Sequence, residues 1–172
     1  MNPPVAEPST AAALDRDAFV ARYGSLFEHS PWVAEAAYDA GPFPDREQLL
    51  AALTAAMDAA PRERQLALIR AHPDLAGRAA IEGSLTPDSR REQSSAGLER
   101  LTPEQYEAFT RTNAAYRERF GFPFVICARE HDRESILAAA ETRLRHEPGD
   151  EVAIALGEIA KIARLRLEDL PA

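Results

Sequence analysis

Apolar side chains recur along this chain at the three- and four-residue spacing of amphipathic helices. The alternating, β-branched patterns that are typical of strands are almost absent. We therefore predict an all-α fold, a single domain built as an irregular bundle of eight to nine helices. The predicted helices lie near residues 15–23, 31–41, 46–59, 61–71, 74–81, 87–96, 103–118, 131–146 and 150–169.

Capping signals mark several of the predicted helix starts. Three Ser/Thr–Pro pairs place an N-cap residue before a proline that suits the first helical position, at Ser30-Pro31, Thr86-Pro87 and Thr102-Pro103. Thr102 is followed three positions later by Gln105, as in a capping box. Asp45 is the predicted N-cap of the third helix. The helix that ends the chain is predicted to begin after a break at Pro148 and Gly149.

Length and charge narrow the class of protein. The 172 residues fit one domain, which we predict over residues 14–172, with residues 1–13 as a flexible, Pro- and Ala-containing N-terminal tail. The formal net charge of -8 disfavours nucleic acid and anionic membranes as partners, because both repel an acidic protein. The first residues lack the basic and apolar regions of a signal peptide, so a cytoplasmic location is expected.

Arg166 is the first candidate for a functional residue. An apolar stripe runs along the last predicted helix through Val152, Ala155, Leu156, Ile159, Ala163 and Leu170. Arg166 falls within this stripe, whereas Arg164 points away from it. An inward arginine needs a partner, because burying an unpaired charge is prohibitive. Arg166 is therefore either half of a structural ion pair or a clamp for an anionic ligand.

His72 is the second candidate and ends the fourth predicted helix. Pro73 disfavours helical backbone at His72, and the apolar Leu68 and Ile69 on the preceding turn place its side chain on the buried side. A histidine at a helix end is often structural. The alternative is an acid/base group, since imidazoles titrate near neutral pH.

Two further segments have both a structural and a functional interpretation. One face of the helix after Thr86 carries Ser89, Glu92, Gln93 and Ala96. Such a face is usually solvated, although the poor helix formers Ser94, Ser95 and Gly97 would allow something other than solvent to approach it closely. Residues 120–124, FGFPF, are expected to form a core loop or to line a pocket for a flat ring. Residues 27–32, FEHSPW, are interpreted as architectural.

Several kinds of site have no support in the sequence. The single cysteine, Cys127, excludes an internal disulfide and is expected to be a small buried hydrophobe. The HExxH, P-loop, GxGxxG and GxSxG motifs are absent, and no histidine follows a glutamate at the spacing of di-iron bundles. Metal, nucleotide and flavin chemistry is therefore not expected.

Five segments in order along the chain resemble the OHCU decarboxylase family, whose substrate is 2-oxo-4-hydroxy-4-carboxy-5-ureidoimidazoline. They are FEHSPWVAEAA at 27–37, AHPDLAG at 71–77, LTPDSRREQSSAGL at 85–98, FGFPFVICA at 120–128 and ALGEIAKIARLRLEDL at 155–170. The resemblance covers nearly everything after the tail. One departure is His146, where the family pattern suggests Asn, and we interpret it as a change in a surface turn.

The resemblance implies a role for individual residues. His72 matches the family's catalytic histidine, Glu92 its catalytic carboxylate and Arg166 its substrate-binding arginine. The implied pocket lining is Pro73, Ser89, Gln93, Phe122, Phe124, Val125 and Ile126. The implied reaction is the cofactor-independent decarboxylation of the anionic ureidoimidazoline to (S)-allantoin in urate breakdown, without a metal, by a homodimer.

Two rival functions remain open at this stage. The first is a hydrolase of a related ureido compound, with His72 as base and Glu92 orienting water, which would release ammonia or urea rather than carbon dioxide. The second is a helical interaction module without activity, in which an internal acid such as Glu92 would neutralise Arg166.

Overall fold

The structure, a computed structural model, describes residues 14–171. Within this range the chain forms nine α-helices and no strand, which confirms the predicted all-α class. The helices are α1 Arg16–Tyr23, α2 Trp32–Ala37, α3 Arg46–Ala59, α4 Arg62–Ala71, α5 Arg78–Glu82, α6 Pro87–Ser95, α7 Pro103–Phe120, α8 Arg133–Arg143 and α9 Pro148–Asp169. The predicted tail, residues 1–13, lies outside the described residues. No helix of the described range has the length and apolar character to cross a membrane.

The described residues form two compact units. The first comprises residues 14–61 and 163–171, and the second comprises Arg62–Ile162. In the first unit α1, α2 and α3 pack around Phe19, Val33 and Leu49, which are fully buried. The ring of Phe19 lies within 6 Å of three other aromatic rings, those of Tyr23, Tyr38 and Phe43.

The second unit contains α4 to α8 and α9 as far as Ile162. Its core includes Leu68 and Ile69 from α4, Phe109 from α7 and Ile136 from α8, each at most 2% exposed. An extended segment, residues 122–127, follows α7 without forming a helix or strand, and all six residues are buried. A buried segment of this kind needs other groups to satisfy its backbone carbonyls.

The predicted caps at Asp45, Thr86 and Thr102 are confirmed. Each side chain accepts a hydrogen bond from the backbone N–H three residues later. Gln105 completes the predicted capping box by accepting from the Thr102 N–H at 2.9 Å. The prediction at Ser30 is wrong in detail, because its hydroxyl donates to the Glu28 carbonyl at 2.8 Å and α2 begins only at Trp32.

Other predicted boundaries also differ from the structure, and α8 spans only Arg133–Arg143 of the predicted 131–146. The helix predicted over 74–81 begins at Arg78, because the backbone before it is held by distant side chains and Ala76 has a positive φ of 51°. Pro148 does not break the chain before the last helix, since α9 begins at Pro148 itself. A proline is tolerated there because the first helical N–H has no partner inside the helix.

Candidate active site

His72 lies directly after α4 and is buried, with 6% of its surface exposed. Its backbone N–H donates to the Ile69 carbonyl at 3.2 Å, which continues the last turn of α4. Its Nδ1 lies 3.0 Å from the Leu68 carbonyl. A carbonyl only accepts, so Nδ1 carries the proton, and in the neutral ring Nε2 is then the nitrogen that accepts protons.

The loop after His72 is held by three side chains from α6 and α7. The Ala76 N–H donates to Gln93 Oε1 at 3.0 Å, and Gln93 Nε2 donates to the Asp74 carbonyl at 3.2 Å. Asn113 Nδ2 donates to the Leu75 carbonyl at 2.9 Å. The Arg117 guanidinium binds the Asp74 carboxylate at 3.0 Å. Together these bonds hold in place the loop that follows His72 in the chain.

The polar face of α6 turns inward. Ser89 is 3%, Gln93 4% and Ala96 4% exposed, and Glu92 between them is half-buried. The interpretation of this face as solvated is therefore wrong, and the physical reason is that Gln93 bonds the backbone after His72. The α6 face forms part of the core of the second unit.

A narrow pocket in the second unit brings most of the candidate residues together. Its lining is His72, Pro73, Leu75, Ser89, Glu92, Gln93, Phe124, Val125, Ile126, Ala128 and Ile162. Its volume is about 30 Å³, which is little more than a water molecule occupies. Leu75, Ala128 and Ile162 were not predicted, and only their apolar character could have indicated them.

The extended segment supplies one wall of this pocket through Phe124, Val125 and Ile126. Phe122 does not line the pocket within the described residues. Its ring centroid lies 5.8 Å from that of Tyr116 and 5.9 Å from that of Phe120, so it belongs to an aromatic cluster of the core. Phe122 therefore fits the interpretation of FGFPF as a core loop, whereas Phe124 lines a pocket whose ligand stays a prediction.

Cys127 follows the same wall and is 2% exposed, as expected for a small hydrophobe. Burial raises the pKa of its thiol to about 11, and the negative charges of Glu130, Glu158 and Glu92 act in the same direction. A thiol held in this way stays protonated at neutral pH and is a poor nucleophile.

Arg166 lies in the first unit and is buried, with 4% exposure, while Arg164 is exposed. Arg166 Nη2 forms an ion pair with Glu28 Oε2 at 2.8 Å, and Nη1 donates to the Ser25 carbonyl at 3.3 Å. The inward position predicted from the stripe is confirmed. Glu28 is a partner acid of Arg166, and it lies in the FEHSPW segment that was interpreted as architectural.

A wider groove of about 500 Å³ lies elsewhere in the second unit. It is lined mainly by apolar residues, among them the exposed Ile81 and Tyr106, and it contains neither His72 nor Glu92. Gln93 lines both spaces. The narrow pocket is the better candidate for chemistry, because it alone of the two joins an imidazole and a carboxylate.

Comparisons with known proteins identify the family of the chain. A model of the OHCU decarboxylase family matches residues 12–168. The 2-oxo-4-hydroxy-4-carboxy-5-ureidoimidazoline decarboxylase of Haloferax volcanii is 46% identical over 156 residues, which cover 91% of this chain and 90% of that protein.

Two solved structures are similar in fold. The crystal structure of (S)-allantoin synthase superimposes with a TM-score of 0.73 at 30% identity, over 92% of this chain and 51% of that one. The crystal structure of OHCU decarboxylase in the presence of (S)-allantoin gives a TM-score of 0.66 at 25% identity, over 90% of this chain and 96% of that one. By the extent of the family match and the identity to its members, this chain belongs to the OHCU decarboxylase family.

Proposed function

We propose that the chain catalyses the cofactor-independent decarboxylation of 2-oxo-4-hydroxy-4-carboxy-5-ureidoimidazoline to (S)-allantoin. The proposal rests on one observation. The buried His72 and Glu92 line the same narrow pocket, in a chain that belongs to this family. The relative from Haloferax volcanii bears the name of this activity. The solved OHCU decarboxylase was obtained with (S)-allantoin, the product that we propose here.

The reaction needs no external electron acceptor. When the bond between C4 and its carboxylate breaks, carbon dioxide leaves and the electron pair forms a double bond between C4 and C5. The imine nitrogen of the ring takes up the displaced pair together with a proton. The C4 hydroxyl then loses a proton to become a carbonyl while C5 gains one, which yields allantoin.

His72 and Glu92 handle the last two protons. His72 takes the proton of the C4 hydroxyl, a role supported by the bond from Nδ1 to the Leu68 carbonyl, which leaves Nε2 to accept it. Glu92 passes a proton from water to one face of C5, which balances the proton that His72 removes. Positioned acid/base groups of this kind typically contribute about 10²–10⁴-fold each to the rate.

Pro73, Ser89, Gln93, Phe124, Val125 and Ile126 surround the ring in this proposal. The pocket volume of about 30 Å³ is smaller than a ureidoimidazoline, so in this proposal the lining side chains move apart when the substrate binds. Arg166 is included as the residue that binds an anionic group of the substrate, on the resemblance alone.

The test generates the unstable substrate from urate in situ and follows the optical activity of the product. The uncatalysed reaction yields racemic allantoin, so the wild-type protein is expected to produce an excess of the (S) enantiomer. Racemic product contradicts the proposal. Release of ammonia or urea instead of carbon dioxide indicates the rival hydrolase, and the absence of any effect indicates the interaction module.

Variants assign the two proton transfers. His72→Ala is expected to lower kcat by about 10²–10⁴-fold without loss of helicity, whereas Glu92→Gln should still release carbon dioxide but yield product of lower optical purity. His131→Ala is the matched control, since His131 bonds Ser135 outside the pocket. Unchanged turnover in His72→Ala would remove His72 from the mechanism.

The assembly and the location complete the proposal. A homodimer is supported by the resemblance, and sedimentation equilibrium of the full chain should give twice the mass of the monomer. The cytoplasmic location predicted from the sequence is tested by fractionating cells that express the chain.

A further inference from the structure

A buried ionic cluster lies behind the pocket wall, and the proposed chemistry does not use it. We define it as Tyr116, Arg143, His146 and Glu151, all of which belong to the second unit. Glu151 is fully buried and accepts hydrogen bonds from Arg143 Nε at 2.5 Å and from the Tyr116 hydroxyl. His146 Nδ1 donates to its other oxygen at 3.1 Å. The cluster joins α7, α8 and the first turn of α9.

Arg143 reaches from this cluster to the pocket wall. Its Nη1 donates to the Val125 carbonyl at 2.6 Å, and its guanidinium carbon lies 4.4 Å from the centroid of the Phe124 ring. Val125 lies in the extended segment, which is neither helix nor strand and so lacks the regular backbone hydrogen bonds of those elements. Arg143 thus contacts the backbone of Val125 and the side chain of the residue before it, Phe124.

The wall held by Arg143 is the one that faces the proposed catalytic groups. Phe124, Val125 and Ile126 line the same pocket as His72 and Glu92. A displacement of the wall would change how a flat ring lies against the imidazole and the carboxylate. Misplacement of reacting groups by about 1 Å can cost about 10²-fold in rate.

Stability alone does not explain the cluster. Burying two charges costs a large desolvation free energy. Apolar residues of similar volume in the same place often stabilise a protein at least as much as the buried ion pair does. An arginine differs from such residues because its planar guanidinium donates in several fixed directions at once. In this cluster those directions are used for Glu151 and for the Val125 carbonyl.

We propose that Arg143 is a positioning residue, anchored by Glu151 and Tyr116, that sets the pocket wall at residues 124–126 against His72 and Glu92. This inference rests on the function proposed above. His146 bonds Glu151, which in turn anchors Arg143. The departure from the family pattern at His146 therefore affects the buried Glu151 as well as the surface turn.

The test compares two variants of Arg143 in the full chain. Arg143→Met with Glu151→Gln removes both charges and leaves an acceptor for the Tyr116 hydroxyl. Arg143→Lys keeps the positive charge but loses the planar guanidinium that donates in several fixed directions. Circular dichroism and thermal unfolding establish that each variant is folded. If the double variant does not fold, the result for Arg143→Lys alone decides between the outcomes.

We expect kcat per folded molecule to fall about ten- to a hundredfold, with a smaller change in KM, and the optical purity of the allantoin to fall with it. A purely structural role would leave the optical purity unchanged, because each folded molecule would still have an intact wall. Folded variants with wild-type kcat and optical purity therefore overturn the positioning role.

The matched control is Arg111→Met with Glu107→Gln, which removes an exposed pair on α7 joined at 3.3 Å. This control should retain the kcat and the optical purity of the wild type. Racemic product from the wild type itself would overturn the proposed function, a result distinct from the failure of Arg143 alone.

Discussion

Arg166 and Glu28 form a buried ion pair in the first unit, with side chains 4% and 2% exposed. Desolvation makes such a pair costly to form, and the loss of one partner leaves an uncompensated charge inside the protein. Arg166 was interpreted either as half of a structural ion pair or as a clamp for an anionic ligand. Both interpretations depend on Glu28, because its negative charge offsets the positive charge that the guanidinium presents to an anion.

Glu28→Gln is expected to destabilise the protein by about 3 kcal/mol, since the buried Arg166 loses the carboxylate with which it forms an ion pair. Urea unfolding at neutral pH measures the loss. Glu35→Gln, an exposed change on α2, should cost less than about 0.5 kcal/mol. Equal stability of the two variants would show that Glu28 does not neutralise Arg166 in solution.

The raised pKa of Cys127 predicts that the free energy of unfolding falls at high pH. Its pKa is raised from 9.0 to about 11 in the folded chain, so its contribution to stability is complete below pH 9 and is lost as the pH rises towards 11. Between pH 7 and 10.5 the wild type should lose about 2 kcal/mol more than Cys127→Ala. Urea unfolding under reducing conditions measures this difference. Parallel pH profiles for the two proteins would contradict it.

At the scale of elements, local bonds decide where most helices begin. The capping box of α7 satisfies two N–H groups that have no partner within the helix, one through the Thr102 hydroxyl and one through Gln105. This box lies at the far end of α7 from the ionic cluster, so its energy can be measured separately from the pocket.

Thr102→Ala is expected to lower the free energy of unfolding by about 1 kcal/mol, because the Gln105 N–H loses its acceptor. Thr110→Ala is the control on the same helix, where the hydroxyl only donates to the Tyr106 carbonyl, which lies within the helix. Chemical denaturation of both variants provides the comparison. If Thr110→Ala costs as much as Thr102→Ala, the cap contributes nothing specific.

At the scale of the whole molecule, a ligand that binds only the folded chain must raise its unfolding temperature. (S)-allantoin, the proposed product, is a stable probe, and its (R) enantiomer is a control of identical composition. A pocket that directs protonation to one face of C5 should also bind the two enantiomers unequally.

(S)-allantoin at ten times its Kd should stabilise the chain by about 1.4 kcal/mol, which corresponds to roughly 3–6 °C for a protein of this size. The same concentration of (R)-allantoin should produce a smaller shift. Differential scanning calorimetry measures both shifts. Identical shifts for the two enantiomers would contradict a stereospecific pocket.

The sequence by itself determined the helical class, most helix starts and the inward direction of Arg166. These features depend on side chains within one or two turns of each other, such as Thr102 with Gln105, so periodicity and capping rules describe them. Local pattern also singled out His72 and the face of α6 that carries Glu92, but the catalytic and binding roles of these residues came from the resemblance to a family. Their spacing along the chain did not bring them together.

Only the tertiary structure decided which groups meet across long separations. Glu28 pairs with Arg166 across 138 positions, and Asn113 holds the backbone of Leu75 across 38. Gln93 turns inward because the loop after His72 offers it two backbone partners. No local pattern encodes these contacts, because each depends on where the packing of other helices places the second partner.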